Sequence, residues 1–510
     1  MNTFKKKSLH AAVLAGLGAI GAVGTAEAVH INPDGQGQVL IYPYYTSRAS
    51  QFTAISVVNT TSQFKAVKVR FLEGKNSREV LDFNLFLSPF DVWTGGVTES
   101  AAGTGARVVT NDNSCVTPSD LFTEARTDNG QALNAFKNYA YTGANVDVAA
   151  LGSLDRTREG YFEMIEMGIV TTAAVQAFIK HGTNGVPANC AALDTLDPGF
   201  ITVPALGFFS NVNHLLVPTG GLAGRASIIN GATGVNYTYE PTAVDQWTNA
   251  VNYTRAGFET PSLSEVFPRT SNVFTNGGVV NATWAAGRDA MSAIMMRDTL
   301  MNEFILDSAT ASLTDWVITF PTKRDYITTT TFAQPFSAAF ATTAGACDPY
   351  GVAVYNREEG APGAAATTIL PSPRPPVVTA AGSNLCWEAN VVPFGASSLL
   401  GSTNTNSLVS PFNTFVTSAT TTPGSLTTPA LRSTQGPNGW FLMSFQANTA
   451  PAIQRTIAPT AATINGVAAV SGVHVGLPVI GAMFHNYNRA GVVSTYGGVV
   501  GHRYTRQILP

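Results

Sequence analysis

Charge is what this sequence has least of. Its 29 basic and 32 acidic residues make 12% of 510 positions, where an ordinary soluble protein carries about 25%. With a net charge of −3 there is no basic face to neutralise phosphates, which excludes a nucleic-acid binder. Cysteine is scarce as well: Cys115, Cys190, Cys347 and Cys386 are the four in the chain. None has a second Cys or a His at ligand spacing, so the zinc pattern is absent. Cys-x-x-Cys-His is missing too, and with it covalent haem. Beyond the N-terminal segment no apolar run reaches the roughly 20 residues that span a bilayer. The final residues, Gln507-Ile508-Leu509-Pro510, give no aromatic closing strand of the kind an outer-membrane barrel needs. Catalytic signatures are lacking: there is no HExxH or Gly-x-Ser-x-Gly, and no dinucleotide or Walker fingerprint in context. Ser62 and Lys65 stand at Ser-x-x-Lys spacing without the partner motifs. No cofactor is expected, and no period of 20 to 50 residues points to a solenoid or propeller.

What is present is apolar enough to fold. Hydrophobic residues reach 45%, against the low hydrophobicity and high charge of a disordered chain. Residues 1–28 read as a secretory signal: Lys5, Lys6 and Lys7, then an apolar stretch from Ala11 to Val23, then Ala26-Glu27-Ala28 at a small-x-small cleavage site. Val29 is the expected mature N-terminus, and the location is exported: cell surface, extracellular or periplasmic. In an oxidising compartment an even cysteine count favours disulfides. Cys115 with Cys190 and Cys347 with Cys386 are the natural pairs, each within its own segment.

Between Gln38 and Val97, short apolar runs alternate with turn clusters. Val67, Val69 and Phe71 alternate with Lys68 and Arg70, and Leu81, Phe83 and Leu85 with Asp82 and Asn84. This is the period of half-buried strands, and it places Lys68, Arg70 and Asp82 on the solvent face. Gly160 to Gly168 reads as a buried strand whose Glu163 and Glu166, three apart, point to opposite faces. Helices are expected over Ser119–Tyr139, Thr172–Lys180 and Arg288–Leu306, and a hairpin over Leu215–Tyr239. Thr314–Pro321 is expected to complete the first region's sheets. Gly351–Tyr355 and Leu385–Val392 are expected to pair beside the second disulfide, and strands return at Trp440–Phe445, Val479–Phe484 and Val492–Tyr496. The fold class is therefore mainly β, an immunoglobulin-like β-sandwich with a few helical insertions and long Thr/Pro/Gly-rich loops at Gly360–Pro376 and Ser397–Thr428. A large sandwich region over 29–326 is followed by a second β-rich region over 327–510, which stands alone or completes the first.

Candidate site residues are few. Tyr42, Tyr44, Tyr45, Trp93 and Trp440 are the aromatics that could contact a glycan, against the plainer reading as core. His485 and His502 share the C-terminal strands and are weak metal candidates. Met291, Met295, Met296 and Met301 read as gap-filling core in preference to a soft-metal site. Glu163, Glu166, Glu358 and Glu359 are carboxylates that a hydrolase would have to bring together from different strands. Asn111-Asp112-Asn113 and Asp34-Gly35 read as turn chemistry, not calcium loops.

Asn32-Pro33-Asp34-Gly35 through Tyr42-Pro43-Tyr44-Tyr45-Thr46, the strand from Glu159 to Gly168, Thr314-Asp315-Trp316 through Pro321-Thr322-Lys323-Arg324, and Leu477 to Gly481 with Tyr496-Gly497-Gly498 resemble a group of exported, mostly uncharacterised proteobacterial cell-surface proteins. The resemblance implies a surface location and carries no catalytic motif. The expectation is a structural or interaction protein, self-assembling into a layer, sheath or filament, with itself or other surface components as partners. A secreted glycan- or surface-binding module and an extracellular hydrolase with dispersed carboxylates are the alternatives.

Overall fold

The computed structural model of the chain describes residues 27–123, 126–196, 214–306, 310–356, 384–394, 398–405, 438–445, 455–468, 471–488 and 495–509. Most of residues 1–28, expected as a secretory signal, Glu358-Glu359, the stretch from Gly360 to Pro376 and most of Ser397–Thr428 lie outside these residues.

The protein is mainly β, with antiparallel sheets stacked in sandwich-like pairs. One sheet orders its strands His30–Ile31, Thr242–Asp245, Val39–Thr46, Glu159–Val170, Lys65–Glu73, Glu79–Leu87 and Cys115–Thr117. The sheet facing it runs Val235–Tyr239, Leu222–Asn230, Gln51–Asn59, Val92–Glu99 and Ala106–Val109. Between them Tyr42, Val67, Phe71, Phe83, Trp93 and Phe162 form a packed core, in which Tyr42 stacks on Phe162 at 4.1 Å. Strand Gln51–Asn59 alternates buried and accessible positions, as a half-buried strand should. Strands Val39–Thr46, Lys65–Glu73 and Glu159–Val170 do not: every residue in them is buried. Their second face lies under other parts of the chain, so Leu72, Tyr161 and Ile165 belong to a second core.

That second core extends into the C-terminal half, where strand Thr314–Thr319 lies between Ala389–Phe394 and Ile480–Asn488. It therefore pairs with later strands and not, as expected, with the first region's sheets. It still reaches the first sandwich through its alternate side chains: Trp316 and Ile318 enter the second core and Val317 the first. Strands on either side of residue 327 share sheets, Gly278–Thr283 with Ala461–Ile464 and Thr299–Ile305 with Asn438–Ser444.

Both disulfides pair as expected, Cys115 with Cys190 and Cys347 with Cys386. The strand pairing beside the second differs. Asp348–Pro349 bonds Asn384–Leu385 next to the cysteines, while Gly351–Asn356 pairs with Asn438–Ser444 and Ala389–Phe394 with Thr314–Thr319. The expected helix at Thr172–Lys180 forms over Ala173–Ile179, and the expected hairpin over Leu222–Asn230 and Val235–Tyr239.

Two other helix expectations need correction. Over Ser119–Tyr139 there is a hairpin, Thr127–Asp128 against Gln131–Ala132. Its turn residues Asn129 and Gly130 both take positive φ, the conformation that an Asn-Gly pair supplies most readily. The helix from Gly287 ends at Met295, and Thr299–Ile305 is a strand in which Leu300, Asn302 and Phe304 alternate inward. Met291, Met295 and Met296 keep their expected packing role in the core, whereas Met301 is only half-buried on the strand Thr299–Ile305.

Candidate functional site

The largest correction concerns charge. Lys68, Arg70 and Asp82 are not on a solvent face but almost wholly buried. The chain from Asn252 to Leu263 lies over them. The register places Glu163 beside Arg70 and Arg70 beside Asp82 across three strands. Lys68 Nζ donates to Asp82 Oδ2 at 2.7 Å and to the Arg255 carbonyl at 2.6 Å. Arg70 donates to Glu79 Oε2 at 2.7 Å and to Glu163 Oε2 at 2.9 Å. The Gly257 N–H reaches both Asp82 oxygens at 2.9 and 2.8 Å, which its φ of +86° allows without strain. Lys65 and Glu166 form another enclosed pair at 2.6 Å, so Glu163 and Glu166 have separate partners. An unpaired charge at such depth would cost several kcal/mol, on the order of 3 or more; pairing is what makes these positions tolerable.

Three carboxylates, Glu79, Asp82 and Glu163, share two cations. One negative charge is therefore in surplus. Burial pushes the Glu163 carboxyl up to about 7, although Arg70 opposes it and Asp325 reinforces it. Burial and the neighbouring Asp82 likewise raise Glu79.

Where the covering segment ends, a small hollow of about 210 Å³ opens on this network, walled by Arg70, Tyr161, Glu163, Glu259, Arg324 and Asp325 among others. A turn over Lys323–Asp325 builds its rim. Lys323 is directed inward to Asp348 at 3.0 Å, while Arg324 and Asp325 face the hollow. Arg324 donates to the Ser77 carbonyl at 3.0 Å and to Glu259 Oε2 at 3.3 Å. Tyr161 OH is 2.8 Å from Ser77 Oγ, which donates to the buried Glu388. Burial raises that carboxyl to about 8.

Two further hollows adjoin. One of about 430 Å³ shares the Arg324 wall, and one of about 570 Å³ shares Glu259. Asn145 lines both. The Arg324–Glu259 pair thus stands where the hollows meet. The Asn145 loop is held from below by Arg156, whose guanidinium donates to both oxygens of Glu73 (2.7 and 2.8 Å) and both of Asp147 (3.0 and 2.7 Å). Asn76 donates to Asp147 as well, at 2.9 Å. Such two-pronged pairing fixes position as well as charge, so this wall is preformed. Glu163, Glu259 and Asp325 are carboxyl groups that face the smallest hollow, the convergence a hydrolase would need, but Glu163 already commits an oxygen to Arg70 and Glu259 one to Arg324.

None of the aromatics singled out in the sequence lines this groove. Tyr42, Tyr44, Tyr45 and Trp93 are fully buried, which removes them as contacts for a surface ligand. The three tyrosine hydroxyls donate to Ser56 O, Glu159 Oε2 and Thr157 O. Trp440 is 38% exposed and stacks on Tyr355 at 4.5 Å. His485 and His502 do not form a metal pair: His485 sits opposite Gly498, and His502 lies beyond the Gly501–Ala482 pairing. His502 Nε2 instead contacts the Val317 carbonyl at 3.0 Å, and its ring packs on Trp316. Among the described residues no cluster of His, Cys, Asp and Glu is arranged to hold a metal ion.

The sequence signal for the groove was the charge pattern itself. Lys68, Arg70, Asp82 and Glu163 occupy the polar phase of three strands with complementary sign. What hid it was the assignment of that phase to solvent. No family model, curated protein or solved structure matches this chain.

Proposed function

We propose that this is an exported interaction protein of the bacterial cell surface that works by holding a polar ligand in the groove around Arg324 and Glu259. The observation that carries this reading is the junction of three hollows on a wall whose polar groups are fixed in advance by buried ion pairs. Preformed walls lower the ordering cost of binding, and concave sites with a few fixed polar groups are where ligands are held. Export is supported by the basic, apolar and small-x-small order of residues 1–28 and by the two disulfides. Among the described residues no helix is long and apolar enough to cross a membrane.

The test is retention of the purified mature protein on an envelope preparation from the source organism, for wild type and Asn145→Trp. Asn145 is exposed, so a bulky ring there fills the larger hollows while leaving the buried pairs intact. Loss of retention in the variant is expected; equal retention would sink the reading.

A second reading, assembly of copies into a layer, sheath or filament, is favoured by paired surface aromatics. Tyr487 and Tyr496 are cross-strand partners, 38% and 64% exposed, and Tyr355 and Trp440 form a second such pair. Low surface charge also weakens repulsion between like subunits. Sedimentation of the mature protein at high concentration tests it, and strict monomers would end it.

A further inference from the structure

Taken over all three hollows, the charges of the groove balance. Arg70 answers Glu79 and Glu163, Lys68 answers Asp82 and Arg324 answers Glu259, which leaves one carboxylate over; the remaining walls carry three cations, Arg78, Arg126 and Lys137, against two carboxylates, Asp128 and Asp325. A groove made for an anion would keep a cation in surplus, and one made for a polyamine or basic peptide would keep several free carboxylates. Here the walls offer paired charges, whose remaining lone pairs and N–H groups serve as hydrogen-bonding sites, together with amides, hydroxyls and one accessible ring. Asn76 and Asn145 supply amides, Thr328 and Ser262 hydroxyls, and Tyr139, 45% exposed, a ring at the edge of the largest hollow.

We propose that the groove takes a neutral, hydroxyl-rich chain, that is, an uncharged oligosaccharide. The Arg324–Glu259 pair acts as a clasp between the hollows, exchanging part of its mutual contact for ligand hydroxyls. This rests on the groove reading above and names its ligand class.

Wall and ligand match in the kind of group each presents. Hydroxyls both donate and accept, so they can satisfy a wall that presents Arg N–H beside carboxylate oxygen. A charged ligand would bring a net charge that the balanced walls, six cations against six carboxylates, do not answer. The clasp itself is partly exposed, Glu259 53% and Arg324 26%, so it costs little to loosen. The deeper pairs are enclosed and hold the wall in place. Three adjoining hollows fit several consecutive units of a chain better than one compact molecule.

The experiment is calorimetric titration of the disulfide-intact mature protein with short neutral hexose and N-acetylhexosamine oligomers. A hexuronate oligomer and an oligolysine peptide serve as charged arms. Each is run at about 50 and about 500 mM salt, a range over which exposed charge interactions are strongly screened. The expected result is binding of a neutral oligomer whose Kd moves less than about twofold with salt. Glu259→Gln should weaken it by about fivefold, one hydrogen bond's worth, and Asn145→Trp should abolish it. Far-UV circular dichroism and melting of both variants check that they fold. Binding of a charged arm alone, with steep salt dependence, would overturn the ligand class, as would the absence of binding by every neutral oligomer. Either result leaves the groove reading to its own test, envelope retention. Neutral binding that Asn145→Trp does not touch would overturn the site.

Discussion

The Lys65–Glu166 pair is the cleanest place to test whether buried charge holds this fold together. Both side chains are 0% exposed, and Nζ lies 2.6 Å from Oε1. Lys65 begins one strand opposite Ile169, and Glu166, opposite Val67, lies diagonally from it on the next. Lys65→Met would leave Glu166 enclosed with only the Thr219 and Gly220 N–H groups, at 3.2 and 2.8 Å. Breaking one side of a buried pair costs about 3 to 5 kcal/mol, and the two remaining donors place this case near 3. Glu166→Gln leaves the ammonium with an amide oxygen and Thr219 Oγ1 at 3.3 Å, a loss of about 2 kcal/mol. In the double variant no charge is stranded, and the Gln carbonyl still accepts from the backbone. Lys65→Met/Glu166→Gln should therefore be more stable than Lys65→Met alone, with a coupling of about 2 kcal/mol. Denaturant unfolding of the four proteins, disulfides intact, measures it. Additive losses, or a Lys65→Met protein within about 0.5 kcal/mol of wild type, would refute the reasoning.

Other expectations follow from the same structure. Glu163 and Glu388 have folded-state pKa values raised to about 7 and about 8, above the unfolded value of about 4.3. Their contribution is full below the unfolded value and is lost as pH rises through 7 and 8. Burial lowers His474 and His502 to about 4, so their contribution is present above about 6.5 and lost as pH falls toward 4. Stability should thus peak in mildly acidic buffer and fall from about pH 6.5 to 8.5; Glu388→Gln should flatten the upper part of that decline, and a flat wild-type melting profile over this range would contradict the assignment. Reduction should be costly, since Cys115–Cys190 closes a separation of 75 residues, worth about 4 kcal/mol; peptide mapping should find Cys115 linked to Cys190 and Cys347 to Cys386. Trp93→Ala should cost about 3 to 5 kcal/mol as a core truncation, whereas Trp440→Ala should cost under about 1.5 kcal/mol, chiefly its stacking on Tyr355. Mass spectrometry of the protein recovered from its native host should place the N-terminus at Val29, whose N–H meets the Thr270 carbonyl at 2.9 Å; a longer chain would contradict cleavage after Ala28.

Much of the β architecture was legible because period-two alternation and turn residues are local. Gln51–Asn59 and the hairpin ending at Tyr239 needed nothing more. The misreadings have local causes as well. Over 119–139 helical spacing outweighed an Asn-Gly pair that fixes a hairpin, and after Met295 a run of apolar residues changed period from helical to alternating. The groove was hidden for a non-local reason. Alternation tells which residues share a face, not whether that face meets water. Lys68, Arg70 and Asp82 were placed in the right phase and the wrong medium, because the segment that covers them arrives from residues 252–263. The opening deficit of charge accordingly changes meaning: a good part of the little charge this protein has is spent inside, in pairs.

The most direct test of the account is hydrogen exchange of the mature protein with and without a neutral hexose oligomer at saturating concentration. Slowed exchange concentrated at 143–147, 257–260 and 324–329 is predicted, with the sheet beneath unchanged. Protection confined instead to the face around Trp440 and Tyr496, with the groove segments unaltered, would contradict it.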